Sequence, residues 1–215
     1  MDIREPVAVA FVGIGSLAVD LLTMASPYGP ISPWHVVAAF DVDPKKVGRQ
    51  LSEIAPFHRP GSIKGGGVPI TAAPVLDSLT APGASKIDCP AGAGQEATRG
   101  ILRETAPEAV LFMAPPGEMV AAFWWQAAIH STASIVNATT AKMAREPDIV
   151  ARCHEAGVDC VGDEISRESP GPAARASYAI ALFISRRHPL MAHSWWLGMQ
   201  RSNFSRPSPP HETVC

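Results

Sequence analysis

The feature that most constrains this chain is an apolar run that enters a glycine turn and is answered by a second apolar run ending on a carboxylate. The first is Val7-Ala8-Val9-Ala10-Phe11-Val12, leading into Gly13-Ile14-Gly15-Ser16-Leu17-Ala18; the second is His35-Val36-Val37-Ala38-Ala39-Phe40-Asp41. Unbroken apolar runs of strand length are what strands buried on both faces of a parallel sheet require. Leu17, Leu21 and Leu22 recur at helical spacing after the turn. Strand, Gly-x-Gly, helix, strand and acid together form the layout of a dinucleotide-binding βαβ unit.

Each part of that unit has a physical job. Gly13 permits the tight turn and Gly15 leaves room for a pyrophosphate against the backbone. The helix opening near Ser16 points free N–H groups and its positive dipole end at phosphates, which places Gly13, Ile14, Gly15, Ser16 and Leu17 at the cofactor. Asp41 is expected to accept hydrogen bonds from the adenosine ribose hydroxyls. A 2′-phosphate would there meet a like charge, so the expectation is NAD rather than NADP. Ala18 replaces the third glycine of the fingerprint and still allows close helix–strand packing. A bare Gly-x-Gly also makes purely structural turns; the flanking strand and helix, with an acid at roughly the expected twenty-residue remove, favour the nucleotide site.

Further along, Asp43-Pro44 predicts a helix start, with Val47, Leu51 and Ile54 as its apolar face, although Gly48 weakens it. The pattern dissolves over residues 56–95, where only 68–70 suggests a short strand. Gly65-Gly66-Gly67 lacks the Lys-Ser/Thr that would continue a P-loop and reads as a plain flexible loop. Order returns with a helix over 96–104, a strand over 109–113, and the turn Ala114-Pro115-Pro116-Gly117. The helix after it carries Val120, Phe123, Trp124 and Ala127 on one face. Trp124-Trp125 then reads as core plus a flanking contact rather than a platform for stacking bases.

A strand over 133–137 ends on Asn137. A helix around 150–154 closes at Gly157, and a strand over 158–161 ends on Gly162-Asp163-Glu164. Alternating strands and helices predict an α/β fold: a Rossmann-like, doubly wound, mostly parallel sheet with helices on both faces. Ligands of such sheets lie beyond the carboxyl ends of the strands, so Ala114 and Pro115 are expected beside the nicotinamide half of the cofactor. Asn137 and Asp163 stand at strand ends too; as turn-forming residue types, they also fit a purely structural role.

Composition excludes several classes. A formal net charge of −2 gives no electrostatic case for nucleic acid or an anionic membrane. The four cysteines, Cys89, Cys153, Cys160 and Cys215, form neither a framework nor a CxxC pair, which points to reduced thiols and no metal site. The apolar stretch 7–24 is preceded by Asp2, Arg4 and Glu5 and interrupted by Asp20, unlike a signal peptide. The expectation is a soluble, cytoplasmic protein.

Several landmarks together resemble the myo-inositol phosphate synthases in their shorter bacterial form. These are the Gly-x-Gly turn, Ala38-Ala39-Phe40-Asp41-Val42-Asp43-Pro44-Lys45-Lys46-Val47-Gly48, Pro115-Pro116-Gly117-Glu118, Val136-Asn137-Ala138, and Ala156-Gly157-Val158 running to Gly162-Asp163-Glu164-Ile165. Their order and spacing match over residues 7–165. The resemblance implies an NAD-binding Rossmann domain carrying a second, catalytic and oligomerising domain. The reaction it implies is isomerisation of glucose 6-phosphate: NAD oxidises the sugar, the ketone permits enolisation and ring closure, and NADH reduces the product. It further implies that residues 13–17 hold the pyrophosphate, Asp41 the ribose, and that Ala114, Pro115, Asn137 and Asp163 line the cofactor.

Two departures accompany the likeness. Where the family continues Lys-Ser-Gln-x-Gly-Ala-Thr, this chain reads Ser166-Arg167-Glu168-Ser169-Pro170-Gly171-Pro172, so the active-site lysine is absent. Arg167 offers charge but cannot shuttle protons as lysine can. Beyond a predicted helix from Pro172 to the stop at Pro189, the family's second domain is not evident. Residues 191–215 offer Trp195-Trp196, read as a docking patch or as simple packing, and Arg206-Pro207-Ser208-Pro209-Pro210, read as a disordered tail. The domain reading is therefore 1–189 for the nucleotide-binding unit and 190–215 for the tail.

Three functions stay open from sequence. One is a shortened enzyme of this family acting by NAD(H) redox chemistry on a sugar phosphate or polyol-like substrate, with Asp163 and Glu164 the in-chain candidates for its base. Another is a non-catalytic nucleotide-binding scaffold, and the last is a simple NAD-dependent dehydrogenase. A homo-oligomer or partner chain is the expected source of any missing acid–base groups.

Overall fold

The computed structural model describes residues 6–24, 34–54, 66–77, 94–114, 117–139, 141–143 and 145–162. Among them, six strands form one sheet: β1 (Val7–Val12), β2 (Trp34–Asp41), β3 (Ile70–Ala72), β4 (Ala109–Phe112), β5 (Ser134–Asn137) and β6 (Cys160–Val161). Between them run α1 (Ser16–Met24), α2 (Leu51–Ile54), α3 (Gln95–Thr105), α4 (Glu118–His130) and α5 (Pro147–Glu155). The strand order is β3-β2-β1-β4-β5-β6 and each neighbouring pair is parallel. This is the doubly wound Rossmann order that the apolar runs led us to expect, with its topological switch between β1 and β4.

Alternation along β1 divides the core in two. Val7, Val9 and Phe11 face Ala18 and Leu22 of α1 and Leu51 of α2. Ala10 and Val12 join Phe40 and Phe112 in facing Leu102 of α3 and Val120, Phe123 and Trp124 of α4. Because successive side chains point to opposite faces, a strand covered on both sides must be apolar throughout. Helix α4 is buried nearly all round: Trp124 and Trp125 are both inside, with Trp124 5.2 Å from the rings of both Phe40 and Phe123. The guanidinium of Arg152 lies 5.3 Å over Trp125, covering the edge of the cluster.

The sheet's register brings three strand ends level. Val12 pairs with Phe40 on one side and with Phe112 on the other. The chain continues the ladder one step further, since the Gly13 N–H donates to the Phe40 carbonyl and the Met113 N–H to the Val12 carbonyl, each at 2.8 Å. Gly13, Asp41 and Met113 therefore leave the sheet side by side.

The helix expected from Asp43-Pro44 does not form as such. Residues 44–48 make turns, Gly48 takes φ +84°, and only Leu51–Ile54 is helical. The N–H of Gly48 bonds to Ile70, that of Leu51 to Val68 and that of Ser52 to Gly66, so pairing with the chain around β3 replaces helical bonding. Leu51 is still buried and Ile54 still packs on the core, because one turn of helix keeps their spacing. The predicted strand at 68–70 begins at Ile70 instead, and Pro69, which has no N–H to give, forms only an antiparallel bridge to Gln50. Residues 163–215 lie outside the described residues, and with them the expected boundary at 189, the helix from Pro172 and the tail. Among the described residues no helix is long and apolar enough to cross a membrane.

Candidate functional site

At the switch point the glycine turn is pressed against the end of β4. Gly13 has φ +85°, and a Cβ there would lie 2.7 Å from the backbone nitrogen of Ala114 and 2.9 Å from the Met113 carbonyl carbon. Both the backbone angle and the close approach demand glycine. Ile14 is buried and turns its side chain into the core. At Gly15, which is exposed, a Cβ would meet nothing within 4 Å, so the turn opens onto free space there. Helix α1 begins at exposed Ser16, and its first N–H groups have no intrahelical partners. Leu17 packs against the core and Ala18 is wholly buried, which fits its reading as the small residue at the helix–strand contact.

Asp41 reaches back to this turn. Its Oδ2 accepts the Ile14 N–H at 2.7 Å and its Oδ1 accepts the Asp43 N–H at 2.8 Å. Lys46 Nζ stands 3.1 Å from the same Oδ2 and 3.9 Å from Asp43 Oδ2. The carboxylate is thus buried against the glycine turn, and it carries a lysine partner that sequence reasoning did not single out. A carboxylate offers about four acceptor positions, and three of Asp41's serve the protein itself.

Across the switch point, half-buried Ala114 adjoins Gly13. Helix α4 then opens at Gly117, whose missing side chain gives no local cap. The cap comes from Asp77, far back in the chain: its Oδ2 accepts the Met119 N–H and its Oδ1 the Val120 N–H, each at 2.9 Å. Those are the two amides a local capping residue would satisfy. A Cβ on Gly117 would lie 2.7 Å from the Asp77 Cγ, so the glycine is the space the carboxylate occupies. Burial opposes the charge on Asp77, yet the N–H groups of Met119, Val120, Asp77 itself and Glu118 hold its carboxyl below the usual aspartate value. Nothing local marked Asp77 in the sequence. The one signal was a glycine at a helix start where Ser, Thr, Asp or Asn is preferred.

Asn137 ends β5 with its side chain fully buried. Its Oδ1 accepts the Thr139 N–H and hydroxyl at 3.0 and 2.7 Å, and its Nδ2 donates to the Ala141 carbonyl. The amide thereby shapes its own loop, and the backbone after it follows the end of β4 through the Ala138 N–H bond to Phe112. Pro115, Asp163 and Glu164 lie outside the described residues. The structure brings together Gly13, Ile14, Asp41 and Ala114 at one crevice, with Gly15 and Ser16 at its open lip.

Comparison with known proteins gives a consistent partial match. No family model matches the chain. The inositol-3-phosphate synthase of Mycolicibacterium smegmatis is 30% identical in an alignment of 187 positions, covering 75% of this chain and 51% of that protein. The inositol-3-phosphate synthase of Corynebacterium glutamicum is 27% identical over 186 positions with the same coverage. The chain therefore spans about half the length of the curated relatives it matches. Among solved structures, Ari2 superposes with a TM-score of 0.60 at 22% identity, covering 86% of this chain and 61% of that one. A myo-inositol-1-phosphate synthase-related protein of Thermotoga maritima superposes with a TM-score of 0.59 at 17% identity, covering 85% and 60%. These two share the fold.

Proposed function

We propose, from the chain's family-level similarity to the inositol-3-phosphate synthases, that it binds NAD(H) in the crevice between β1 and β4 and uses it on a small sugar phosphate or polyol-like substrate. The observation that carries the reading is the junction of Gly13, Ile14, Asp41 and Ala114 at the topological switch point. An open glycine and a helix start stand at the lip of that junction. The donor set fits the group. The backbone of Gly15, Ser16 and Leu17 would hold the pyrophosphate, as unpaired first-turn amides do for anions. Asp41 keeps one acceptor position for a ribose hydroxyl. Ala114, with Pro115, the backbone around Asn137 and Asp163, would line the nicotinamide side.

Bound nicotinamide supplies a hydride acceptor and donor. What the chain must add is orientation and a base for the substrate hydroxyl. Asp163 and Glu164 follow the last strand of the sheet and are the in-chain candidates for that base. Ring closure asks for more, namely acid–base groups in a site closed to water, and a second copy or partner chain is the proposed source of them. A specific observation favours a second, non-catalytic reading: Ser166 stands where the resemblance calls for a lysine. On that reading the chain binds the dinucleotide without turning over.

Calorimetric titration of the full chain with NAD and NADH separates these, followed by monitoring of nicotinamide absorbance with a panel of sugar phosphates. Binding with substrate-dependent absorbance change supports the enzyme. Binding without turnover, alone and with candidate partner chains, supports the scaffold, and no binding of either form at millimolar concentration refutes both.

A further inference from the structure

The ion pair beside the glycine turn has a consequence for which dinucleotide the crevice accepts. Lys46 Nζ contacts the Asp41 oxygen that also takes the Ile14 N–H. The ammonium therefore lies at the junction of the second strand end and the turn, where the adenosine ribose of a bound dinucleotide would rest. Asp41's side chain is 7% exposed, whereas that of Lys46 is 25% exposed, so the cation is the more accessible member of the pair. A lone carboxylate at this position repels a 2′-phosphate. A carboxylate paired to an ammonium repels it far less, and the ammonium itself attracts it.

We propose that Lys46 is a specificity-determining residue of this site: by pairing with Asp41 it moderates the rejection of a 2′-phosphorylated dinucleotide and sets the ratio of NADP to NAD affinity. The inference rests on the dinucleotide reading of the crevice and adds a residue to it. It gives a role to the lysine that shares one Asp41 oxygen with the Ile14 N–H while the Asp43 N–H holds the other.

The experiment measures Kd for NAD and NADP by calorimetry on the full chain and on Lys46→Met, Lys46→Arg and Lys45→Met, with thermal melting to verify folding. Methionine keeps the stem and removes the charge, so the ratio of Kd for NADP to Kd for NAD should rise about tenfold or more in Lys46→Met. Lys46→Arg should hold the ratio near the wild-type value. Lys45→Met, which removes the same formal charge from an exposed neighbour, should change it much less. A second measurement needs no variant. If the ammonium governs the 2′ position, added salt screens the attraction and raises the ratio in the wild type; if the bare carboxylate governs it, salt lowers the ratio. An unchanged ratio in Lys46→Met with NAD still bound, or a ratio that falls with salt, overturns the inference while leaving the dinucleotide site intact. Failure of the wild type to bind either dinucleotide overturns the site itself and the inference with it.

Discussion

The sharpest stability test concerns the cap that Asp77 supplies to α4 and the glycine that makes room for it. Removing the carboxylate in Asp77→Ala leaves the Met119 and Val120 N–H groups without it and removes a negative charge from a helix N-terminus. A capping side chain contributes about 1 kcal/mol and the charge–dipole interaction about 0.5 kcal/mol, so the expected loss is about 1.5 kcal/mol. Gly117→Ala acts on the same contact from the other side. Gly117 has extended backbone, φ −150° and ψ 152°, which alanine adopts without strain. The added Cβ, however, would sit 2.7 Å from the Asp77 Cγ, and the carboxylate is what must move. Displacing it loses the same cap, offset by the roughly 0.5 kcal/mol that a compatible Gly→Ala change contributes through the unfolded chain, for a net loss of about 1 kcal/mol.

In the Asp77→Ala background the collision is gone, so Gly117→Ala should change sign and stabilise by about 0.5 kcal/mol. The double-mutant cycle thus has an expected coupling of about 1.5 kcal/mol, well above the scatter of independent sites. Urea denaturation of the four proteins, with unchanged m-values, measures it. Acid adds an independent axis. Because the folded-state carboxyl sits below its ordinary value, its contribution is present above the unfolded-state pKa of about 4 and is lost as pH falls through the folded value. The gap between wild type and Asp77→Ala should therefore narrow in that acid range. Equal effects of Gly117→Ala in both backgrounds would refute the reasoning, since they would mean the carboxylate is not what fills the glycine's space.

Two further outcomes follow from the same strand ends. Gly13→Ala should destabilise by about 2 to 4 kcal/mol, from the left-handed backbone and from a collision with Ala114 backbone that cannot rotate away. Gly15→Ala, facing open space, should leave the urea midpoint nearly unchanged, and on the proposed reading it acts only by weakening dinucleotide binding. Burial, reinforced by the charge of Asp159 and partly opposed by a bond from Cys160, pushes the Cys153 thiol up. Its contribution to stability is full below the unfolded thiol value of about 8.5 and is lost as pH rises through the folded value. Wild type should accordingly lose stability in alkali more steeply than Cys153→Ala, read from denaturation midpoints across that range.

The strands of the sheet were legible because a parallel sheet leaves no polar alternation to blur them: residues 7–12 and 109–112 are apolar throughout, and all of them but Ala8 are buried. Helix α2 was over-read for an equally physical reason. Val47, Leu51 and Ile54 carry helical spacing, but that spacing says nothing about Gly48 taking a left-handed conformation to pair with Ile70. Asp41 was legible as an acid at a strand end. That one of its oxygens takes both the Ile14 amide and Lys46 depends on the register that sets β1 and β2 level, which no local pattern encodes. Asp77 lies in the stretch where periodicity fails altogether, and its partner amides are over forty residues away.

Three glycines stand around this crevice for three different reasons, and the difference bears on how a ligand would lie. Gly13 is glycine because the backbone of the neighbouring strand end presses on it, and Gly117 because the Asp77 carboxylate fills its side-chain space. Gly15 alone faces nothing. Two helices start near the switch point, and either could in principle attract a phosphate through its first amides. At α4 the protein has placed its own anion on Met119 and Val120, which makes that end repel a second one. The amides beyond Gly15 carry no such plug from Asp41, whose oxygens go to Ile14 and Asp43 instead. On the proposed dinucleotide reading, an anionic group in the crevice would be directed to α1, which would set the ribose toward Asp41 and Lys46 and the other half of the cofactor toward Ala114.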